Sequence, residues 1–255
     1  MKTLANEIVA WLKDYAEKNN RKAFVIGVSG GVDSALVSTL CAMTGLPTYC
    51  VLLPCCSKAE HTAMGITHIE WLIDQFPNVI VKKISLTDTF EAFYDEVKYD
   101  FADDLAFANT KSRLRMIALY QIATSISGLV VGTGNKVEDF GIGFFTKYGD
   151  GGVDISPIAD LMKSEVRQMC RDLGVLPELS EAVPTDGLWN DTRTDETQVG
   201  ATYDELEWAM KFSEKPVILG EVISSRQQEV LNIYMKRHLS SRHKMTPIPT
   251  FVRKA

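Results

Sequence analysis

The chain has 255 residues, 45% of them hydrophobic and 24% charged, with a formal net charge of −6. That is enough apolar material for a substantial core in a single domain spanning 1–255, and the acidic balance, with no long basic tract, argues against an extended nucleic-acid surface. No apolar run reaches membrane-spanning length, and the first ten residues, which include Glu7, lack the pattern of a secretory signal, so the expected location is the cytoplasm.

An amphipathic helix is expected from about Leu4 to Lys18, followed by a buried strand over Ala23 to Val28. The next six residues, Ser29-Gly30-Gly31-Val32-Asp33-Ser34, join that strand to an apolar helix from Ala35 to Met43. Two glycines allow the backbone to approach a ligand closely, and free N–H groups at a helix start attract phosphate. The loop is not a Walker A sequence, because no lysine precedes its final serine. Asp33 would repel phosphate unless a cation intervened, which points to Mg2+. Thr48 to Leu53, closed by Pro54, and Asn78 to Ile84 read as further strands, with a helix over Ala59 to Phe76 between them. Such alternation predicts an α/β fold with right-handed crossovers around a mainly parallel sheet.

A long helix is expected from Asp104 to Ser127, with Leu114, Ile117, Ala118 and Ile122 at helical spacing and Lys111, Arg113 and Arg115 near its start. A strand at Leu129 to Val131 leads into Gly132-Thr133-Gly134-Asn135-Lys136. Ligands of open parallel sheets bind beyond the carboxyl ends of the strands, so this turn is placed to face the one at Ser29. Glu138 could supply a second carboxylate to a cation at Asp33, since Mg2+ favours oxygen ligands and phosphate bridges. From position alone, an ordinary solvated glutamate on a short helix is the better reading. The stretch from Gly141 to Asp154 is glycine-rich and aromatic and reads as a binding loop or flap, in which Phe144 could pack on a ring and Lys147 could meet phosphate. Asp160 is the expected N-cap of the following helix. Lys163 is electrostatically misplaced in a first helical turn unless it has an anionic partner such as phosphate or Glu165.

Residues 181–188 and 190–198 read as irregular loops, and a last helix is expected from Val222 to Arg237. His61, His68, His238 and His243 form no metal signature, and His61 and His68 are expected on a helix surface. Of the five cysteines, Cys41 and Cys50 read as core thiols, while the adjacent Cys55 and Cys56 lack the spacing of a zinc or redox motif. No glycine-framed serine suggests a covalent nucleophile.

Together these segments resemble the ammonia-dependent NAD synthetase family, within the wider ATP-pyrophosphatase superfamily. The Ser29 to Ser34 hexapeptide is similar to loops throughout that superfamily. The family-specific likeness lies in Gly132 to Lys136, Phe144 to Asp154, Pro184-Thr185, Asp195-Glu196-Thr197 and His243-Lys244, and extends over nearly the whole chain. The resemblance implies a Rossmann-like three-layer sandwich. It also implies that ATP adenylates the nicotinate carboxylate of nicotinic acid adenine dinucleotide, and that ammonia then displaces AMP to give NAD.

By the same resemblance, Ser29, Gly30, Gly31, Val32, Asp33 and Ser34 form the pyrophosphate site, Asp33 and Glu138 hold Mg2+, and Lys163 and Thr185 contact phosphates. Arg115 or the nearby Arg113, with Thr133, would place ATP. Phe144, Lys147, Asp150, Asp154, His243 and Lys244 would surround the dinucleotide, and Asp33, Asp150 and Lys163 would serve catalysis, Asp150 by orienting ammonia. The family also implies a homodimer, with no nucleic-acid or membrane partner. Within Val137 to Gly143 the chain is one residue longer than some patterns of that family. Gln198 stands where the family can carry an acid, and there is no room for a glutamine-hydrolysing domain, so free ammonia is the expected nitrogen donor. Two alternatives remain at this point: another ATP-pyrophosphatase ligase or thiolase acting on a nucleotide or RNA, and a nucleotide-responsive binding protein without catalysis.

Overall fold

The computed structural model describes residues 1–57, 59–181, 188–189, 193–215 and 222–253. Four parallel strands form the central sheet in the order β3-β2-β1-β4: β1 is Ala23–Gly27, β2 Thr48–Leu52, β3 Val79–Lys83 and β4 Gly128–Val130. Phe24 aligns with Thr48 on one side and Leu129 on the other, so the carboxyl ends of β1 and β4 lie side by side. A parallel bridge from Val131 to Ile155 extends the sheet at that edge.

Strand side chains alternate between faces, and each face of this sheet is covered. Phe24, Ile26, Leu129 and Val131 pack under α1 (Lys2–Lys18), α2 (Val32–Met43) and α6 (Lys163–Leu173). Val25, Val51 and Val130 pack against α4 (Thr87–Val97) and α5 (Asp104–Ser125). The result is the three-layer α/β arrangement expected from the sequence. Cys50, Leu52, Ile69 and Leu72 join α3 (Ala59–Gln75) to the first of these faces, and Cys41 and Cys50 are the core thiols anticipated.

A separate cluster lies beside the sheet. Val137 and Ile142 of a π-helical turn, Val137–Ile142, meet Leu206 and Met210 of α9 (Tyr203–Ser213) and Val230 and Tyr234 of α10 (Ser225–Met245). Short helices α7 (Pro177–Ser180) and α8 (Asp195–Val199) complete the described elements.

Several expectations need correction. The 190–198 stretch is not wholly irregular: Thr194 accepts from Thr197 N and starts α8. The α4 helix was not anticipated, although Phe90, Phe93 and Val97 have helical spacing; Phe90 is buried and Phe93 exposed. On α5, Ile117 departs from its stripe and faces outward at 58% exposure. The last helix continues past Arg237 to Met245.

Asp160 is not an N-cap. The chain is still turning at 158–161, with Leu161 N donating to Ile158 O, so α6 begins after Met162, whose N–H is bound by Glu165 Oε2 at 2.9 Å. The exposed Asp160 carboxylate instead pairs with Lys136 Nζ at 2.9 Å. His68 is not a surface residue either. It turns inward from α3 and is fully buried, with Nε2 2.8 Å from Ser38 Oγ and its ring stacked on Trp71. Burial pushes its pKa down to about 4. The side chain of His61 lies outside the described residues.

Candidate active site

The loop after β1 is fixed by its own hydroxyls. Ser34 Oγ donates to Gly31 O at 2.9 Å and accepts from Ser29 N at 3.2 Å, while Gly31 N donates to Ser29 Oγ at 3.2 Å. Gly30 adopts φ +90°, a backbone conformation that side chains disfavour. No side chain caps the start of α2, which leaves its N–H groups facing the cleft above the sheet. Because α2 begins at Val32 rather than Ala35, Asp33 stands in its first turn.

The two glycine turns do meet. Asn135 Nδ2 donates to Asp33 Oδ1 at 3.2 Å, and Asn135 Oδ1 accepts from Glu138 N at 3.1 Å. Lys163, the first residue of α6, completes the cluster: its Nζ lies 2.5 Å from Asp33 Oδ2 and 3.1 Å from Glu138 Oε1, and its side chain is 3% exposed. The partner of the misplaced lysine is therefore a pair of carboxylates, with Glu165 engaged elsewhere. Burial disfavours its charge, but Asp33 and Glu138 outweigh that effect and raise its pKa, so Lys163 remains an ammonium. A third layer stands behind Glu138, where Tyr203 OH donates to Glu138 Oε1 at 2.5 Å and lies 3.4 Å from Asp195 Oδ2.

This donor set suits one kind of metal. Among the described residues no group of three or more His, Cys, Asp or Glu side chains could hold a metal, which excludes an all-protein cage there. Two carboxylates converging on one cation position, beside a phosphate loop, match Mg2+, which takes one or two carboxylates and completes its shell with water and phosphate oxygens. Lys163 Nζ marks that position with a positive charge.

The same cleft, about 1100 Å³, is lined by residues 144–150, Arg113, Arg115, Thr133 and the end of α10. Arg115 donates to Leu53 O and Ser57 Oγ, and Arg113 to Lys147 O. Asp150 accepts from Ser112 Oγ at 2.6 Å and Thr146 N at 3.0 Å, which fixes its carboxylate at the cleft wall. The loop is clasped to α10 through backbone carbonyls: Lys147 Nζ donates to His243 O, and Lys244 Nζ to Gly143 O and Phe145 O. Phe144 lines the cleft, and its N–H donates to Glu138 O at 2.9 Å.

The Val137–Ile142 segment winds as a π-helical turn. Wide turns of this kind carry one residue more than an α-turn and occur often at functional sites. Glu138 and Asp139 point into the cleft while Phe140 faces out. The turn closes at Gly143 with φ +61°, where a Cβ would stand 2.3 Å from Ser241 Cβ of α10. His238 Nδ1 meets Gly141 O at 2.7 Å from the same helix.

Of the expected site residues, Ser29 to Ser34, Arg113, Arg115, Thr133, Glu138, Phe144, Lys147, Asp150, Lys163, His243 and Lys244 share this cleft. Asp154 does not line it; its carboxylate binds Val130 N at 2.8 Å and Tyr120 OH at 3.0 Å. Thr185 lies outside the described residues. Three residues were missed. Tyr203 gave no local motif, Arg237 lay in an ordinary charged helix, and Asp139 follows Glu138 in a segment whose path the extra residue obscured. Asp139 lies against Gly134, and burial, followed by the charges of Glu138, Asp150 and Asp33, pushes its pKa up to about 8.

The chain is similar to known proteins over nearly its whole length. Residues 4–248 match the family described as NAD synthase. The NH(3)-dependent NAD(+) synthetase of Alkaliphilus metalliredigens is 37% identical over 95% of this chain and 96% of its own. The NMN synthetase of Francisella tularensis superposes with a TM-score of 0.85 at 33% identity, covering 98% of this chain and 97% of that one. The NH3-dependent NAD synthetase of Campylobacter jejuni, at 22% identity and a TM-score of 0.78 over 99% of both chains, shares the fold.

Proposed function

The chain belongs to the NAD synthase family, and from that membership we infer that it amidates nicotinic acid adenine dinucleotide with ammonia, at the expense of ATP. It is a carbon-nitrogen ligase that forms AMP. The observation that carries the site assignment is the meeting of Asp33, Glu138 and Lys163 beside the Ser29 loop, in one cleft with Asp150 and the 144–150 loop.

In this reading the Ser29 to Ser34 loop and the start of α2 receive the triphosphate, with Arg113, Arg115, Thr133 and Thr185 placing the nucleotide. Asp33 and Glu138 would hold Mg2+, which when bound offsets phosphate charge and aligns the α-phosphorus for attack. Lys163 then exchanges its carboxylate partners for phosphate oxygens. A carboxylate oxygen of the substrate bonds to the α-phosphorus as the bond to pyrophosphate breaks, giving an acyl-adenylate. Positioning and charge stabilisation are what the protein contributes to this step.

Ammonia attacks the acyl carbon, and AMP departs with the bridging oxygen while nitrogen loses a proton. Asp150, fixed by Ser112 and Thr146, is placed to orient the incoming nitrogen. Phe144, Lys147, His243 and Lys244 surround the acid substrate, with Asp154 supporting the far end of the loop from behind β4. The enzyme is expected to work as a homodimer in the cytoplasm, and among the described residues no helix is long and apolar enough to cross a membrane.

A second reading concerns the length of the acid substrate. The likeness to the Francisella tularensis protein, whose name gives NMN as product, favours testing the mononucleotide acid beside the dinucleotide. Purified protein with ATP, Mg2+ and ammonium should convert nicotinic acid adenine dinucleotide to NAD with equal yields of AMP and pyrophosphate. Absence of all three products from folded protein rejects the reading, and a higher kcat/KM for nicotinic acid mononucleotide transfers it to the shorter acid.

A further inference from the structure

We propose that Tyr203 is a positioning residue for Glu138, holding that carboxylate in its metal-binding orientation when Lys163 moves away from it. The proposal rests on the reading above in which Asp33 and Glu138 take the divalent cation, and it adds a residue from a different part of the fold.

Glu138 projects from a π-helical turn, and among the described residues two groups fix its Oε1: Lys163 Nζ at 3.1 Å and Tyr203 OH at 2.5 Å. Lys163 cannot hold it during the reaction, because a cation between Asp33 and Glu138 would occupy the place of its ammonium. Tyr203 can. Its hydroxyl approaches Glu138 from the side of α9, while its ring face lies 4.6 Å from Lys163 Nζ.

The phenol is itself held firmly. Tyr203 is 4% exposed and opens α9, whose start is fixed by reciprocal bonds between Thr202 and Glu205. Tyr203 N donates to Glu196 Oε1 at 3.0 Å, and Arg226 binds both oxygens of Glu205 at 2.8 Å. A phenol hydroxyl facing a carboxylate oxygen acts as the donor. A phenol has one proton to give, and the shorter distance directs it to Glu138 rather than to Asp195. Two helices thus fix a side chain whose one proton is directed at a metal-binding carboxylate.

Carboxylates that bind metals are commonly oriented by hydrogen bonds from residues behind them, and loss of such a partner lowers metal affinity about 10–100-fold. Tyr203→Phe should therefore weaken Mn2+ binding by about that factor, measured by electron paramagnetic resonance with a nonhydrolysable ATP analogue present. Metal-free nucleotide affinity should stay unchanged, and the melting curve should confirm a folded variant. In the Glu138→Gln background the same substitution should add no further loss. Tyr203→His, which keeps a donor, should recover part of the affinity, a rescue that a purely structural role would not give.

Mn2+ affinity within twofold of the wild type in Tyr203→Phe overturns the proposal, as does an equal loss in the Glu138→Gln background. If Glu138→Gln alone leaves Mn2+ binding intact, the metal assignment itself fails and this proposal with it. The amidation assay on the wild-type enzyme decides separately whether the reaction was read correctly.

Discussion

The two ends of the cleft are organised by different physics. At the phosphate end, one Lys163 ammonium is shared between the Asp33 and Glu138 carboxylates, and each depends on charges supplied from remote parts of the chain. At the loop end, Lys147 and Lys244 spend their hydrogen bonds on backbone carbonyls, binding residues 143–150 to α10 with no carboxylate partner among the described residues. The first arrangement can exchange one cation for another. The second sets the shape of a loop. Damage to the phosphate end should therefore appear in folding and metal response, and damage to the loop end in the saturation of the acid substrate.

The strongest test removes the central cation. Lys163→Met leaves two part-buried carboxylates facing each other without their buried cation, and breaking a buried ion pair from one side costs about 3–5 kcal/mol. Chemical denaturation should show that loss, with product formation falling below detection. Stability close to wild type would mean that Lys163 is far more hydrated than its 3% side-chain exposure indicates.

Acid should also strike the phosphate end first. His68 lies behind the Ser29 loop, bound to Ser38 of α2, with a folded pKa of about 4 against an ordinary 6.5. The unfolded chain binds this proton more tightly, so the contribution of neutral His68 is intact above pH 6.5 and declines as pH falls from 6.5 to 4. Over that window the loss is about 3 kcal/mol. His68→Gln should flatten this part of the profile of unfolding free energy against pH, and an unchanged slope would assign the acid sensitivity to other groups.

The smallest expected effect lies at the loop end. Lys244→Met removes two hydrogen bonds to carbonyls that can partly turn to water, a loss of about 1 kcal/mol. KM for the acid substrate should rise about five-fold, since 1 kcal/mol corresponds to that factor, while KM for ATP stays constant. Equal changes in both constants would erase the distinction between the two ends.

How legible each part was depends on how local its cause is. The strands and the Ser29 loop were readable because apolar runs and turn chemistry act over a few residues. Lys163 stood out because a lysine opening a helix conflicts with the helix dipole, and the conflict pointed to an anion without saying which one. Asp160 was misjudged because one additional turn at 158–161 delayed the helix by two residues. His68 was misjudged because a single histidine carries no sign of which face of α3 meets α2. Tyr203 and Glu138 are 65 positions apart, and only the packing of α9 against the π-helical turn brings them together. The family resemblance located the phosphate and substrate segments, but it did not disclose this support behind them.

The π-helical turn also imposes an order on assembly. Its glycine terminus and the carbonyl of Gly141 are both met by α10, through Ser241 and His238, and α10 follows in the chain every element that it braces. During synthesis the sheet and nucleotide loop can emerge and pack while the acid-binding wall still lacks its strut. A nascent chain halted before α10 would therefore leave both the turn that carries Glu138 and the 143–150 wall unbraced.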